Sequence, residues 1–350
     1  MEQRAVLVTG GCGFIGSHFV RYLLRERSWR VVNLDKLTYA ADLARLSDVT
    51  SDPRYQFVRG DVTDAELVGE LFRRERPWAV INFAAESHVD RSILDPAPFL
   101  ETNVRGVYTL LEAARRHQVE RFLQVSTDEV YGDVEGLPPR VEEDPLQPSS
   151  PYAASKASAD LLCLAYRRTY GLPTLIARSS NNYGPYQHPE KLIPLAIRNL
   201  LKGDAVPVYG DGRQVRDWLF VEDNCRALLE VLERGRVGGV YNVATGVRTS
   251  NLELLRRICM VLAEELAADP NSFLSRMEFV RDRPGHDRAY AVSVERIRNE
   301  LGWRPSVDLQ EGLRRTVRWF IGNRAWLERT ADDSYRAYYE AVYVQQWGMP

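Results

Sequence analysis

Three groups of residues in this sequence have types and spacing suited to chemistry. The first is Gly10-Gly-Cys-Gly-Phe-Ile-Gly16, whose closely spaced glycines (Gly10, Gly13 and Gly16 among them) permit a tight turn and close approach of backbone to a pyrophosphate. The second is Ser126-Thr-Asp-Glu-Val-Tyr131, where Asp128 and Glu129 are adjacent. Two such carboxylates divide acid and base roles when their surroundings separate their pKa values. The third is Ser150-Pro-Tyr-Ala-Ala-Ser-Lys156, which sets Tyr152 and Lys156 four residues apart. On a helix these share one face. A free phenol titrates near pH ~10, and an ammonium one turn away favours its phenolate.

Positioning such groups requires a scaffold, and the chain alternates strand and helix patterns through its first half. Short β-branched or apolar runs occur at 5–9, 31–35, 56–58, 79–83, 122–126 and 174–177, with helical patterns near 16–27, 64–76, 95–117 and 151–169. Strands apolar on both faces and separated by helices predict a doubly wound parallel sheet, with ligands beyond the carboxyl ends of its strands. The glycine-rich segment directly follows the first run and opens the first helix, whose N-terminus favours anions. The second run ends in Asp35, suited to the ribose hydroxyls of NAD and repulsive to a 2′-phosphate. Asp61-Val62 ends the third run and is expected to flank the adenine. Ser150 as N-cap with Pro151 in the first helical position fixes the start of the helix that carries Tyr152.

From about Asn181 the alternation breaks into a segment rich in Pro, Gly and Tyr. A helix at 222–234 and a strand at 240–243 return to the sheet, and helices near 251–267, 293–301 and 309–323 read as a smaller lobe. The expected partition is 1–180 plus about 217–246 for the dinucleotide-binding domain, and about 181–216 plus 247–350 for a discontinuous α/β substrate lobe.

The 350 residues carry 46 basic and 48 acidic side chains, a formal charge of −2, so no bulk field points to nucleic acid or an anionic membrane. Only four of the basic residues are lysine: Lys36, Lys156, Lys191 and Lys202. Cys12, Cys163, Cys225 and Cys259 form no spacing suited to zinc or a disulfide framework, so no metal is expected. Strand-like residues from Ala5 and the lack of a long apolar run predict a cytoplasmic chain without leader or membrane span.

Taken together, Gly10–Gly16, Asp35, Tyr152 and Lys156 resemble the extended short-chain dehydrogenase/reductase superfamily. The Thr127-Asp128-Glu129 triplet narrows this to the dTDP-glucose 4,6-dehydratases. The likeness extends over Asp35-Lys-Leu-Thr-Tyr39, Phe83-Ala-Ala-Glu-Ser-His-Val-Asp-Arg-Ser92, Ser180–Pro185, Glu190-Lys-Leu-Ile-Pro194, Arg216-Asp-Trp218 and Asp282–Asp287. Departures are Cys12, where Ala is usual, and Ala41-Asp42, where Gly-Asn is common.

This resemblance implies a nucleotide-sugar dehydratase with NAD as a prosthetic group. It assigns Tyr152 as base toward the C4 hydroxyl, Thr127 as its hydrogen-bonding partner, and Lys156 as the residue that holds the ribose and lowers the phenol's pKa. Glu129 is the base at C5, and Asp128 the acid at O6. It puts cofactor contacts at Phe14, Ile15, Asp35, Lys36, Thr38, Asp61, Val62, Ala84, Ala85, Ser87, Thr102 and Asn182. Substrate contacts fall at His88, Asn181, Lys191, Pro207, Tyr209, Arg216, Asn251, Asp282 and His286. Within these, Arg216 suits a diphosphate and Tyr209 a stacked thymine. A homodimer through the helices near 95–117 and 151–169 is also implied.

Competing readings are a dehydratase or 4-epimerase acting on another nucleotide diphosphate sugar, and a catalytically silent NAD-sensing protein. Epimerisation at C4 needs no acid at O6, and a sensor has no use for an elimination pair.

Overall fold

The computed structural model describes residues 4–331 together with 335, 337, 339, 340 and 342; the remainder of the expected 247–350 segment lies outside the described residues. A parallel sheet is built from β1 (Ala5–Thr9), β2 (Arg30–Asp35), β3 (Tyr55–Arg59), β4 (Ala79–Asn82), β5 (Arg121–Thr127) and β6 (Thr174–Ser179). Every residue of β1, β4 and β6 is buried, so these strands are sandwiched between layers rather than exposed on one face. Facing helices are α1 (Phe14–Glu26), α2 (Ala65–Glu75), α3 (Val89–Leu94), α4 (Ala97–Leu100), α5 (Gly106–Arg116) and α6 (Pro151–Tyr170). Local capping sets their starts: Asp64 accepts the amides of Glu66 and Leu67 ahead of α2, and Ser150 accepts that of Ala153 ahead of α6, with Pro151 next.

The single helix expected over 95–117 is divided. Between α4 and α5 the turn Glu101–Arg105 is a π-helix. An added residue in the turn re-aims side chains inward. Asn103 there bonds the Glu86 amide at 2.9 Å, the Glu86 carbonyl at 3.0 Å and the Ser155 hydroxyl at 2.8 Å, tying the turn to α6 and to the loop after β4.

Beyond the sheet come β7 (Asn181–Tyr183), α7 (Leu192–Lys202), β8 (Val206–Tyr209), β9 (Val215–Phe220), α8 (Val221–Arg234), β10 (Val240–Val243) and β11 (Arg248–Ser250). They are followed by α9 (Asn251–Leu266), α10 (Pro270–Leu274), β12 (Met277–Val280), α11 (Glu295–Leu301), α12 (Leu309–Gly322) and α13 (Arg324–Thr330). Sheet order is β10-β6-β5-β4-β1-β2-β3, a doubly wound arrangement that reverses between β1 and β4. Two small sheets, β11-β9-β7 and β12-β8, sit beside it.

Two cores cover the faces of the large sheet, one including Val6, Phe19 and Leu228, the other Leu7, Phe72 and Leu110. A further core joins α7, α9 and α12 through Ile197, Ile258 and Val317. Helix α11, expected in the smaller lobe, belongs elsewhere. Its Ile297 and Leu301, with Trp303, pack into the core of the large sheet, and Tyr241 of β10 donates to Glu300 at 2.7 Å. The apolar face of α11 matches α8 and β10 rather than the lobe.

Candidate active site

A cleft of about 390 Å³ opens beyond the carboxyl ends of β1, β2, β4, β5 and β6, where the sheet order reverses, and the lobe forms its far wall. Gly10 adopts φ +70°, and a Cβ there would stand 2.7 Å from the Ala84 amide, so only glycine lets the turn lie against the loop after β4. A Cβ on Gly16 would meet the Gly10 carbonyl at 2.3 Å, which explains why α1 can start so close to the turn. No side chain caps α1 and its first turn holds no acid. Its amides and dipole therefore face the cleft. Asp35 is buried and accepts the amides of Cys12 and Leu37, each at 2.8 Å, which fixes its carboxylate against the turn. Lys36 donates to Thr102 at 3.0 Å and lies 3.4 Å from Asp61.

At the end of β5 the backbone leaves the sheet in a 3₁₀ turn, Asp128–Tyr131, and this turn directs both carboxylates into the cleft. The Thr127 hydroxyl caps it by accepting the Glu129 amide at 3.2 Å. Burial and the neighbouring charge of Glu129 push Asp128 well above the usual carboxylate range. Burial also raises Glu129, but Arg283, Arg216 and Lys191 all pull it back. Arg216 also pulls on Asp128, whereas Arg283 and Lys191 act on Glu129, so the surroundings favour Asp128 as proton donor and Glu129 as proton acceptor.

Tyr152 and Lys156 are both buried on α6 and line the cleft. Burial, with the charge of Glu129, pushes the Tyr152 phenol up, while a hydrogen bond from Thr127 pulls it down. The lowering expected from Lys156 is not among the leading influences on the phenol, which are burial, Glu129 and the Thr127 hydrogen bond. Lys156 itself donates to the Val125 carbonyl at 2.6 Å, and burial brings its pKa down to about 8.

The opposite wall is cationic. Arg216 is buried on β9, its guanidinium 4.2 Å from the Tyr290 ring centre, bonded to the carbonyls of Val215 at 2.8 Å and Asp287 at 2.9 Å. Asp217 is no partner for it, because that carboxylate takes the Thr245 and Gly246 amides and the Ser180 hydroxyl. Lys191 donates to the Ser87 carbonyl at 2.7 Å. His88 bonds the Glu190 carbonyl at 3.1 Å, and burial lowers its pKa. The Tyr209 hydroxyl donates to Asp90 at 2.9 Å, and its ring stands edge to face with His286 at 5.9 Å.

Every catalytic residue expected from the sequence lines this cleft. So do Gly10, Gly13, Phe14, Ile15, Gly16, Asp35, Lys36, Thr38, Val62, Ala84, Ala85, Ser87, Thr102 and Asn182, and on the lobe side His88, Asn181, Lys191, Pro207, Tyr209, Arg216, Asn251 and His286. Two residues do not. Asp61 turns to Lys36, and Asp282 supports the wall from behind, holding His286 at 2.6 Å and Gln214 at 2.8 Å. Residues missed as individuals include Asp90, Glu190 and Arg283. Asp90 meets Arg283 at 2.6 Å across the cleft, and Glu190 meets Arg91 at 3.0 Å. All three lie inside segments that carried the family resemblance, which was the available signal.

The groups present fit a dinucleotide: the donor amides of an uncapped helix start, a buried acceptor carboxylate beside it, and an acceptor Asn182 Oδ1 with no hydrogen-bond partner among the described residues. Asn181 and Asn251 offer similarly unpartnered oxygens on the lobe side. Among the described residues no cluster of His, Cys, Asp and Glu could hold a metal ion.

The family model described as GDP-mannose 4,6 dehydratase matches residues 7–316. The dTDP-glucose 4,6-dehydratase of Neisseria meningitidis serogroup B is 50% identical over 348 residues, covering 95% of this chain and 98% of the relative. The chain belongs to the dTDP-glucose 4,6-dehydratase family. A solved member of that family, from Streptomyces venezuelae with NAD bound, is 49% identical with a TM-score of 0.88, covering 93% of this chain and 99% of the other. The UDP-glucose 4-epimerase of Thermus thermophilus, solved with NAD, is 36% identical with a TM-score of 0.82 over 91% of this chain and 99% of the other. The dehydratase family and the epimerases thus share a scaffold, and the difference must be sought in side chains.

Proposed function

We propose that this chain converts dTDP-glucose into dTDP-4-keto-6-deoxyglucose and water. The observation that carries this reading is the unequal pair Asp128 and Glu129, set in one cleft with Tyr152. Bound NAD would accept the C4 hydride and return it to C6, leaving no net redox change. The α1 N-terminus, Asp35 and Lys156 would hold it. Tyr152 Oη receives the C4 hydroxyl proton while Thr127 bonds the same oxygen. The resulting ketone acidifies C5–H; Glu129 takes that proton, Asp128 gives its own to O6, and water leaves as C5 and C6 become doubly bonded. Glu129 then returns a proton to C5. Arg216 and Lys191 face the diphosphate, and the Asn181 and Asn251 side-chain oxygens would accept from hydroxyl or N–H donors of the substrate.

Active enzyme is expected to be a cytoplasmic homodimer joined through α5 and α6. Exposed Leu100, Tyr108, Leu161 and Tyr170 on or beside these helices support such an interface. The four cysteines are unpaired and buried, and no described helix is long and apolar enough to cross a membrane.

The test is turnover of dTDP-glucose deuterated at C4, without added reductant. Deuterium should appear at C6 of a 4-keto product, with solvent hydrogen at C5. Retention of the label at C4 without loss of water rejects the proposal. Parallel reactions with UDP-, CDP- and GDP-glucose measure the base preference.

A further inference from the structure

Behind the cleft lies an ion pair that the reaction does not touch. Tyr152, Lys156 and Asp160 recur at every fourth position of α6, so Asp160 extends the catalytic face by one turn, away from the cleft. Asp160 is fully enclosed; its Oδ2 accepts Arg178 Nε at 2.8 Å, and its Oδ1 has no hydrogen-bond partner among the described residues. Arg178 stands on β6 directly beside Ser126 of β5. Its Nη1 donates to the Tyr131 hydroxyl at 2.7 Å and to the Glu142 carbonyl at 3.2 Å. Tyr131 closes the turn that presents Asp128 and Glu129, and its hydroxyl in turn donates to Asn242 of β10 at 2.9 Å. Lys156, Asp160 and Arg178 thus form an alternating row of buried charges that ends on the acid–base turn. Apolar packing of equal volume often stabilises a fold as well as a buried ion pair does, which leaves room for a positioning role here.

We infer that Asp160 and Arg178 are positioning residues shared by the two halves of the reaction: Asp160 holds Lys156 charged beneath Tyr152, and Arg178, through Tyr131, fixes the turn carrying Asp128 and Glu129. The inference rests on the dehydration proposed above. The groups that face Lys156 are the Val125 carbonyl of β5 and Asp160 and Cys163 of α6, with Tyr152 one turn before it on the same helix. Around Asp160 they are Ser126 of β5, Arg178 of β6, and Lys156 and Cys163 of α6.

Two near-isosteric substitutions separate the halves. Tyr131→Phe removes the hydroxyl that Arg178 holds, so elimination should slow while C4 oxidation continues. We expect kcat to fall about tenfold with KM unchanged, and the near-ultraviolet absorbance of reduced nicotinamide to rise in the steady state. Asp160→Asn removes the counter-charge of Lys156. The alkaline limb of kcat should then move to lower pH, without build-up of reduced nicotinamide. Both proteins are first checked for folding by thermal melting. If Asp160→Asn does not fold, Tyr131→Phe decides alone: a raised reduced fraction supports the inference and a wild-type fraction overturns it. Equal kcat losses in two folded variants, with neither a changed reduced fraction nor a shifted pH limb, also overturn it. Wild-type protein that releases no 4-keto sugar rejects the parent proposal and this one with it; wild-type turnover alongside unaltered variants rejects this one alone.

Discussion

Lys156 Nζ reaches across from α6 to the Val125 carbonyl at 2.6 Å, two residues before Thr127, which pins the ammonium against the end of β5. The side chain is buried and places a compact charge against that carbonyl. An arginine keeps the charge but replaces the compact ammonium with a longer planar fork, which cannot reproduce this contact in the same geometry. Lys156→Arg is therefore expected to reduce kcat by roughly 10²–10⁴. Lys202, paired with Glu328 at 2.6 Å on a partly exposed face of α7, serves as control. Lys202→Arg should leave kcat within about twofold of wild type.

Substituting the carboxylates separates their roles. Glu129→Gln should abolish entry of solvent hydrogen at C5, whereas Asp128→Asn should slow water loss while exchange at C5 continues. Each change should cost roughly 10²–10⁴ in turnover. Mass spectrometry of sugar recovered from deuterated water reads both events; equal loss of exchange in the two variants would contradict the division of labour.

Arg216 is held by the carbonyls of Val215, Asp287 and Arg288 and by the Tyr290 ring rather than by a carboxylate, so its charge remains available to a ligand. Arg216→Lys retains a cation but loses the fork. Binding of dTDP to the variant, measured calorimetrically, should weaken about tenfold, or ~1.4 kcal/mol, with a smaller effect on kcat.

The pH profile follows from the two shifted groups. Glu129 must be ionised to act as base, and burial raises its pKa, so activity should begin to fall on acidification at a higher pH than an ordinary glutamate would give. Lys156 must stay protonated, and burial brings it to about 8, so activity should fall again as pH rises through that value. A bell with a narrow plateau is expected in kcat/KM. A flat profile up to the range of ordinary lysines would contradict this reading of Lys156.

The sheet was legible because its strands are buried on both faces and therefore read as unbroken apolar runs, as in Ala5–Thr9 and Ala79–Asn82. The glycine turn, Asp35 and the Tyr152–Lys156 pair were legible because local spacing alone creates them. Strands such as Asn181–Tyr183 and Arg248–Ser250 are three residues long and carry no usable periodicity. The π-turn before α5 was hidden because its cause is Asn103 reaching Glu86 and Ser155, contacts that no local pattern encodes. The Asp90–Arg283 pair joins residues 193 apart in sequence and could only be found in space. Asp61 and Asp282, both expected among ligand contacts, stand just outside the cleft lining beside residues that form it, Lys36 and His286.

The order in which the chain visits its two cores has a mechanical outcome. It leaves the large sheet after β6, returns from β9 directly into α8, leaves again after β10, comes back to seat α11, and departs a last time into α12. Five crossings bind the walls of the cleft like stitches along a seam. No single residue can act as a door hinge, and parting the walls means straining several stitches at once. An enzyme that exchanged its oxidant for a fresh one every cycle would be hampered by such a seam. One that hands back each electron pair it borrows can keep its oxidant sewn in for life.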